Sequence, residues 1–231
     1  MKKLKTWIID YAHMLFLGAI MYLRHTPPKH YLEHVVEGKI PVIILPGVFG
    51  RWAFMKPLGD HISLLGHPVY IVPKLGNNLK DIPTSAKKVY EVIEENNLKN
   101  VVIVAHSKGG LIGKYLMAHE DKENRVKGLI AIATPFHGSR AAKLIPHPGT
   151  WELSHNSEMI KNLESQTEVN KKIVSIIPLY DNHVWHSKGS FLEGAKENIQ
   201  VEATGHHKVA ADKKVWESIL EEIDKFTDSP L

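Results

Sequence analysis

The chain has no cysteine among its 231 residues, so disulfide bonds and metal sites built from thiolates are excluded. It also lacks the G-x-x-x-x-G-K-[ST] and G-x-G-x-x-G patterns, the usual signatures of phosphate and dinucleotide sites. The HExxH spacing of zinc metalloproteases is absent as well. The sequence therefore predicts a protein without a metal ion or an organic cofactor.

A strong excess of one charge is also missing. Lysine and arginine number 29 against 25 acidic residues, which leaves a net charge of +4, and only Lys2, Lys3 and Lys5 are grouped. No motif combines basic and aromatic residues in the manner of a nucleic-acid-binding domain, so we predict no nucleic-acid partner. The length and the composition, 43% hydrophobic and 23% charged, suit one globular domain with at most a small appendage.

The hydrophobic run near the start is short. Residues 14–23 are apolar without interruption, about half the length that crosses a bilayer, and no small-x-small cleavage site follows them. Residues 1–38 are predicted to form a helical extension, in the favoured interpretation an amphipathic helix packed on the domain. Attachment of residues 1–26 to a lipid surface is the alternative, because Trp7 and Tyr22 lie near the helix ends. Export or a true span is less favoured, so the predicted compartment is the cytoplasm or a membrane periphery.

Strands and helices alternate from residue 39 onward. Short apolar runs predict six buried strands, at residues 41–45, 69–72, 101–105, 126–133, 173–179 and 198–203. Apolar residues at helical spacing predict helices at residues 52–65, 81–96, 157–163 and 209–226, and one that begins near residue 108. This alternation predicts an α/β domain over residues 39–231, with a mostly parallel sheet covered by helices on both faces. The carboxyl ends of all strands then lie along one edge, where ligands bind.

The most informative stretch is AHSKGG, residues 105–110, at the end of the third predicted strand. Its paired glycines permit a sharp turn from the strand into the following helix. A serine at such a corner, here Ser107, has its hydroxyl exposed, as in the G-x-S-x-G nucleophile motif. Ala105 replaces the first glycine of that motif, and the corner should tolerate the smallest possible substitute. An ordinary turn is the alternative interpretation.

Ser107, Asp181 and His206 each follow the carboxyl end of a predicted strand. A serine hydroxyl becomes a nucleophile when an imidazole removes its proton, and the imidazole needs a carboxylate to fix its tautomer and stabilise its charge. We therefore predict that these residues form a catalytic group of nucleophile, acid and base. His207 is the alternative base, and His183 and His186 are weaker alternatives because they lie so close to the acid in sequence.

A glycine-containing loop, LPGVFG at residues 45–50, closes the first predicted strand. Such a loop can direct backbone N–H groups at the oxyanion that develops during attack on a carbonyl carbon. The predicted donors are the N–H groups of Val48 and of Lys108, the residue after the nucleophile. Side chains contribute little to this role.

These motifs together resemble those of small bacterial triacylglycerol lipases and of GPI inositol-deacylase-like hydrolases in the α/β-hydrolase superfamily. The similar segments are LPGVFG at 45–50, AHSKGG at 105–110, ATPFHGS at 133–139, DNHV at 181–184 and GHH at 205–207. The resemblance implies an α/β-hydrolase fold and a Ser-His-Asp triad that acts through an acyl-enzyme. It implies a serine hydrolase, an esterase or lipase, for carboxylic esters with an apolar acyl group.

The chain departs from this family pattern at two positions. Pro46 replaces a common histidine in the oxyanion loop, and Lys108 replaces a common methionine or leucine. The lysine is expected to place a cation beside the acyl pocket, which affects the preferred substrate more than the mechanism. Acyl transfer, amide hydrolysis and a non-catalytic lipid-binding scaffold are the alternative functions.

Aromatic residues near the predicted active edge are candidates to bind the acyl group. We expect this of Phe49, Trp52, Phe136 and Trp185, although packing in the core is an equal alternative. The irregular residues 137–156 are predicted to form a short lid or a fixed cover. The expected partner is a small-molecule ester or lipid; the sequence does not indicate the acyl length or the oligomeric state.

Overall fold

A six-stranded sheet forms the centre of the computed structural model, which describes residues 2–23, 26–145 and 147–228, with only the backbone of residues 2, 3, 17 and 19–23. The strands are β1 Val42–Leu45, β2 Val69–Tyr70, β3 Val101–His106, β4 Val126–Ile132, β5 Ile173–Tyr180 and β6 Glu197–Thr204. They lie in the order β2-β1-β3-β4-β5-β6, and each neighbouring pair is parallel. The predicted α/β class with a parallel sheet of six strands is confirmed.

Helices cover both faces of the sheet. They are α1 Lys2–Leu23, α2 His30–Glu33, α3 Lys56–Leu64, α4 Ile82–Glu95, α5 Lys108–Tyr115, α6 Pro148–Trp151, α7 Glu158–Ser165 and α8 Lys213–Asp228. Short 3₁₀ segments occur at Trp52–Met55, Pro73–Leu75, Arg140–Leu144, Glu168–Lys172 and Lys208–Ala211, and one π-helical segment at Leu116–Glu120. Helices α3 and α8 pack on one face of the sheet, and α4, α5 and α7 on the other.

The central strands are buried on both faces, which explains why their sequences are continuous apolar runs. Every residue of β1 and β3 is buried, and successive side chains point to opposite faces. Ile43 and Ile103 belong to the hydrophobic cluster with α4 and α5, whereas Ile44 and Val104 belong to the cluster with α3 and α8. The sheet therefore separates two hydrophobic layers.

Local backbone geometry explains where element bounds differ from the predictions. The last helix was expected to begin at residue 209, but a 3₁₀ turn occupies Lys208–Ala211, and Asp212, with φ −80° and ψ 122°, separates it from α8. Strand β2 ends at Tyr70 rather than residue 72. Two residues follow it before Pro73, which has no N–H to donate to a neighbouring strand, begins a 3₁₀ turn.

As far as its side chains are described, the amino-terminal helix α1 packs on the domain by one side. On the packed side, Asp10 is buried and the Trp7 indole N–H donates to the Tyr180 hydroxyl at 3.0 Å. The side exposed to solvent is apolar and carries Leu4, Ile8, Ile9, Leu15 and Phe16. Among the residues described, none of the helices combines the length and the apolar character needed to span a membrane.

Candidate active site

Ser107 lies at a strained corner between β3 and α5. Its backbone has φ 54° and ψ −120°, a region that residues other than glycine rarely occupy. Close packing behind the corner requires glycine at position 110, because a Cβ there would lie 2.0 Å from the Thr134 hydroxyl oxygen. The Thr134 hydroxyl in turn donates to the Ser107 carbonyl at 3.1 Å. The corner forms with Ala105 in the preceding strand.

The structure brings the three predicted residues together at the carboxyl edge of the sheet. His206 Nε2 lies 2.9 Å from Ser107 Oγ, and His206 Nδ1 lies 2.8 Å from Asp181 Oδ2. Asp181 directly follows β5, and His206 follows β6 by one glycine. Residues that are 99 and 25 positions apart in sequence thus form one hydrogen-bonded chain.

Charge favours the arrangement that general-base chemistry needs. Burial alone would raise the pKa of Asp181, but the His206 ring and the N–H groups of Val184 and His183 lower it below its ordinary value. Burial alone would lower the pKa of His206, yet the Asp181 carboxylate raises it above 6.5. An ionised carboxylate at Nδ1 holds the proton there and leaves the Nε2 lone pair for the serine hydroxyl.

Two buried residues hold the backbone of His206. The Asn182 side-chain oxygen accepts its N–H at 2.9 Å, and His106 Nε2 donates to its carbonyl at 2.8 Å. Burial keeps the pKa of His106 well below 6.5, so this ring is neutral. Neither residue could be given this role from the sequence, because its position beside Ser107 or Asp181 is the only signal there.

The predicted oxyanion donors belong to two residues close to Ser107. Lys108 is the first residue of α5, and N–H groups in the first helical turn have no partner within the helix. Val48 lines the same cavity as Ser107. The loop that carries Val48 is held by Asn78, a buried residue whose side-chain amide donates to the Pro46 carbonyl at 2.8 Å. Asn78 was not identified from the sequence, because a lone asparagine between elements carries no motif.

The expectation that Lys108 places a cation beside the acyl pocket is wrong. Its side chain is fully buried and does not line that cavity, and its Nζ lies 2.6 Å from Glu152 Oε1. Nζ also donates to the carbonyls of Lys80 at 2.6 Å and Gly149 at 2.9 Å. Burial lowers the pKa of Lys108, and Glu152 opposes that shift. The lysine therefore connects helix α5 to Gly149 and Glu152, which lie in the predicted cover at 137–156.

The cavity beside Ser107 is small and mostly apolar. It encloses about 60 Å³, and its lining residues are Val48, Ser107, Pro135, Ser139, Ala141, Ala142, Ile145, Thr150, Leu153, His183, Val184 and His206. Half of these twelve residues come from the predicted cover at 137–156. That segment is anchored at several points. For example, the Ser139 hydroxyl donates to the His183 carbonyl at 2.6 Å, and Glu152 Oε2 accepts the N–H of Ile82 at 3.0 Å.

Two of the four aromatic candidates for acyl binding lie elsewhere. Trp52 packs against Tyr31 in the core, and Phe136 is buried in the hydrophobic layer on the opposite face of the sheet. Neither lines the cavity beside Ser107. Phe49 and Trp185 are partly exposed and immediately follow the lining residues Val48 and Val184, so they lie at the rim. Trp52 and Phe136 are surrounded by other buried apolar residues. Their aromatic character alone therefore predicted the wrong location for them.

His207, the alternative base, is hydrogen-bonded to Asp10 and not to Ser107. Its Nδ1 lies 2.9 Å from Asp10 Oδ2, on helix α1. Asp10, His183 and His207 place potential metal-ligand atoms within 4.8 Å of one another, in the part of the chain that the structure describes. We assign no metal to them, because both oxygens of Asp10 already accept hydrogen bonds from His207 and Lys208.

Comparison with known families adds an independent result. The family model of the PGAP1-like alpha/beta domain matches residues 74–219, more than half of the chain. The chain belongs to this family. The matched segment contains Ser107, Asp181 and His206, whereas α1 and the Val48 loop lie before it.

Solved structures of lipases share the fold. The mature lipase BlEst2 of Bacillus licheniformis superposes with a TM-score of 0.70 at 15% identity, over 83% of this chain and 95% of the lipase. Lipase B of Aspergillus fumigatus gives 0.70 at 20% identity, over 87% of this chain and 55% of the fungal protein. A monoacylglycerol lipase of Paleococcus ferrophilus gives 0.58 at 13% identity, over 81% and 96%. The α/β-hydrolase fold expected from the motifs is confirmed.

Proposed function

We propose that this protein is a serine hydrolase that cleaves carboxylic esters with an apolar acyl group. The observation that carries the proposal is the hydrogen-bonded chain from Ser107 Oγ through His206 to Asp181, at 2.9 and 2.8 Å. Its location at the carboxyl edge of a parallel sheet, where α/β folds bind their ligands, supports the same conclusion. The fold shared with lipases and the mostly apolar cavity beside Ser107 agree with ester hydrolysis.

The reaction proceeds in two halves. His206 Nε2 takes the proton of Ser107 as its oxygen attacks the ester carbonyl, and Asp181 stabilises the resulting imidazolium. The N–H groups of Val48 and Lys108 stabilise the tetrahedral oxyanion. His206 then gives its proton to the leaving alkoxide, which leaves an acyl group on Ser107. Water, activated by the same imidazole, attacks the acyl-enzyme and regenerates the serine.

The cavity limits the acyl group that fits inside. The cavity beside Ser107 has a volume of only about 60 Å³, so we infer that it takes up no more than a short segment of the acyl chain. A longer chain extends past the rim, where the exposed side chains of Phe49 and Trp185 provide apolar contact. The anchored cover at 137–156 keeps this dimension fixed. We therefore propose that short and medium acyl chains are the preferred substrates.

The assignment of the base is tested with two adjacent histidines. His206→Ala should abolish hydrolysis of p-nitrophenyl esters, because it removes the only imidazole within hydrogen-bonding distance of Ser107 Oγ among the described residues. His207→Ala should lower the rate far less, since its ring nitrogen meets Asp10. Initial rates across acyl lengths, measured on both purified variants, decide between them. The reverse order would make His207 the base.

The same assay separates hydrolysis from the alternative functions. Acyl transfer appears as a new ester when an alcohol is added, at the expense of the free acid. A scaffold without catalysis gives no turnover of any ester and no covalent labelling by a fluorophosphonate probe. Ester hydrolysis requires both turnover and labelling in the wild-type protein.

We further propose that α1 contacts an anionic lipid surface. Its solvent side presents Ile8, Leu15 and Phe16, the last two 68% and 65% exposed, at the i, i+7, i+8 spacing of one helical face. Large apolar side chains seldom cluster on a free surface. Lys2, Lys3 and Lys5 at the start of the helix supply the positive charge that anionic headgroups attract.

Vesicle co-sedimentation tests this contact. The wild-type protein should pellet with anionic vesicles and less with zwitterionic ones, and the double variant Ile8→Glu, Phe16→Glu should stay in the supernatant. Leu64→Glu on α3, which alters another exposed leucine, serves as the control and should pellet like wild type. Equal binding by the double variant, or no binding by the wild type, would show that α1 does not contact lipid.

A further inference from the structure

The buried carboxylate of Asp10 takes no part in the proposed reaction, yet it lies against the catalytic histidine loop. Its Oδ1 accepts the backbone N–H groups of His207 at 2.8 Å and Lys208 at 2.9 Å. Its Oδ2 meets His207 Nδ1 at 2.9 Å. All three hydrogen bonds thus go to the two residues that directly follow His206 in the chain, although Asp10 is 197 positions away from the nearer one.

Packing at Gly205 closes the contact from the other side. Gly205 has φ 99°, and a Cβ there would lie 2.6 Å from Asp10 Oδ1. The carboxylate therefore occupies the space that a side chain at position 205 would need. Asp10 thus packs against Gly205, directly before His206, and bonds to His207 and Lys208, directly after it. These contacts restrain the backbone on both sides of His206.

These contacts continue into the aromatic groups around the catalytic ring. His183 stacks on His206 with ring centroids 4.9 Å apart and meets His207 edge-on at 4.8 Å. Tyr11, the neighbour of Asp10 on α1, packs on His183 at 5.4 Å. Helix α1 thus supports both the backbone of the histidine loop and the ring that covers His206.

We propose that Asp10 is a positioning residue for catalysis: from helix α1 it fixes the loop that carries His206, so that Nε2 stays within hydrogen-bonding distance of Ser107. This inference rests on the proposed function. It assigns α1 a part in the active site, although the family match begins only at residue 74. Asp10 touches neither the serine nor the substrate cavity and therefore acts only through His206.

Charge supplies a second, independent expectation. Burial alone would raise the pKa of Asp10, but the hydrogen bonds from His207 and the Lys208 amide lower it, so the group is ionised. The ionisable groups that face His206 are Asp181 and Asp10, which raise its pKa, and His106, His183 and His207, whose own pKa values are lowered and which are therefore neutral. Loss of the Asp10 charge should lower the pKa of His206.

The test compares Asp10→Ala with Asp10→Asn. We expect Asp10→Ala to lower kcat about 10- to 100-fold with little change in KM. The range is taken by analogy from metal sites, where it is typical of losing a group that orients a metal-binding side chain. Asp10→Asn keeps an oxygen that can accept the two backbone N–H groups and should recover part of the loss. In both variants the midpoint of the acid limb of kcat/KM should move to lower pH, because the neutral form of His206 persists further into acid.

The control is Glu222→Gln on α8, which removes another buried carboxylate, one that pairs with Lys225. It should lower the unfolding temperature without moving the acid limb. If both Asp10 variants retain wild-type kcat and pH profile per folded molecule, the positioning role is wrong. If Asp10→Ala does not fold, Asp10→Asn alone decides through its pH profile. Absence of Ser107-dependent turnover in the wild type would instead contradict the proposed function itself.

Discussion

Ser107→Ala is expected to abolish ester turnover, with a loss of about 10⁶-fold in kcat by analogy with other serine hydrolases that lose their nucleophile. In the proposed mechanism the Ser107 oxygen forms the bond to the substrate, and alanine at this position would leave His206 without a hydroxyl to deprotonate. The variant should also fail to react with a fluorophosphonate probe. Rates of p-nitrophenyl ester hydrolysis and labelling followed by mass spectrometry measure both outcomes.

A second buried serine provides the matched control. Ser175 on β5 donates its hydroxyl to the Ser190 carbonyl at 2.6 Å and lies outside the cavity. Ser175→Ala should therefore keep the labelled Ser107 and most of the activity, even if it unfolds at a lower temperature. Substantial turnover by Ser107→Ala, with an unfolding temperature like that of wild type, would show that another residue is the nucleophile.

Asp181→Asn should lower kcat by about 10⁴-fold while the fold is kept. The asparagine oxygen can still accept the N–H groups of His183 and Val184, so the loop after β5 remains in place. Its amide, however, donates to His206 Nδ1, which moves the imidazole proton to Nε2 and removes the lone pair that Ser107 needs. Steady-state kinetics across pH, with circular dichroism to verify folding, measure this effect.

An exposed acid gives the comparison for this substitution. Asp224 on α8 pairs with Lys39 at the surface, and Asp224→Asn should leave kcat close to that of wild type. Near-normal activity in Asp181→Asn would mean that a different carboxylate orients His206. Asp10 is the other acid beside the loop, so the double variant of Asp10 and Asp181 would then identify it.

The features that could be predicted from the sequence depend on local patterns. Continuous apolar runs at β1, β3 and β4 signal strands buried on both faces, and their alternation with helices determines a parallel sheet. Once the sheet is parallel, the residues after β3, β5 and β6 must share one edge. This is why Ser107, Asp181 and His206 could be grouped from the sequence although they are far apart along the chain.

The features that could not be predicted depend on contacts between distant side chains. Asp10 lies in a segment with no motif, and nothing in its neighbourhood indicates that it will meet His207. Lys108 was expected at the acyl pocket from its place beside the nucleophile, but the direction of a helical side chain depends on packing, and here it pairs with Glu152. Likewise Trp52 looks the same in sequence whether it lines a pocket or fills the core.

The backbone at Ser107 has a consequence for protein engineering. Its φ of 54° lies in a region that glycine adopts at a lower free energy than serine does. Serine at this position therefore lowers the stability of the folded state. Selection for thermostability alone would tend to relieve this cost by replacing Ser107 with glycine, which has no Cβ, and the hydroxyl would be lost with it. Libraries built on this scaffold should therefore be screened for turnover in every round, because thermostability and turnover favour different residues at position 107.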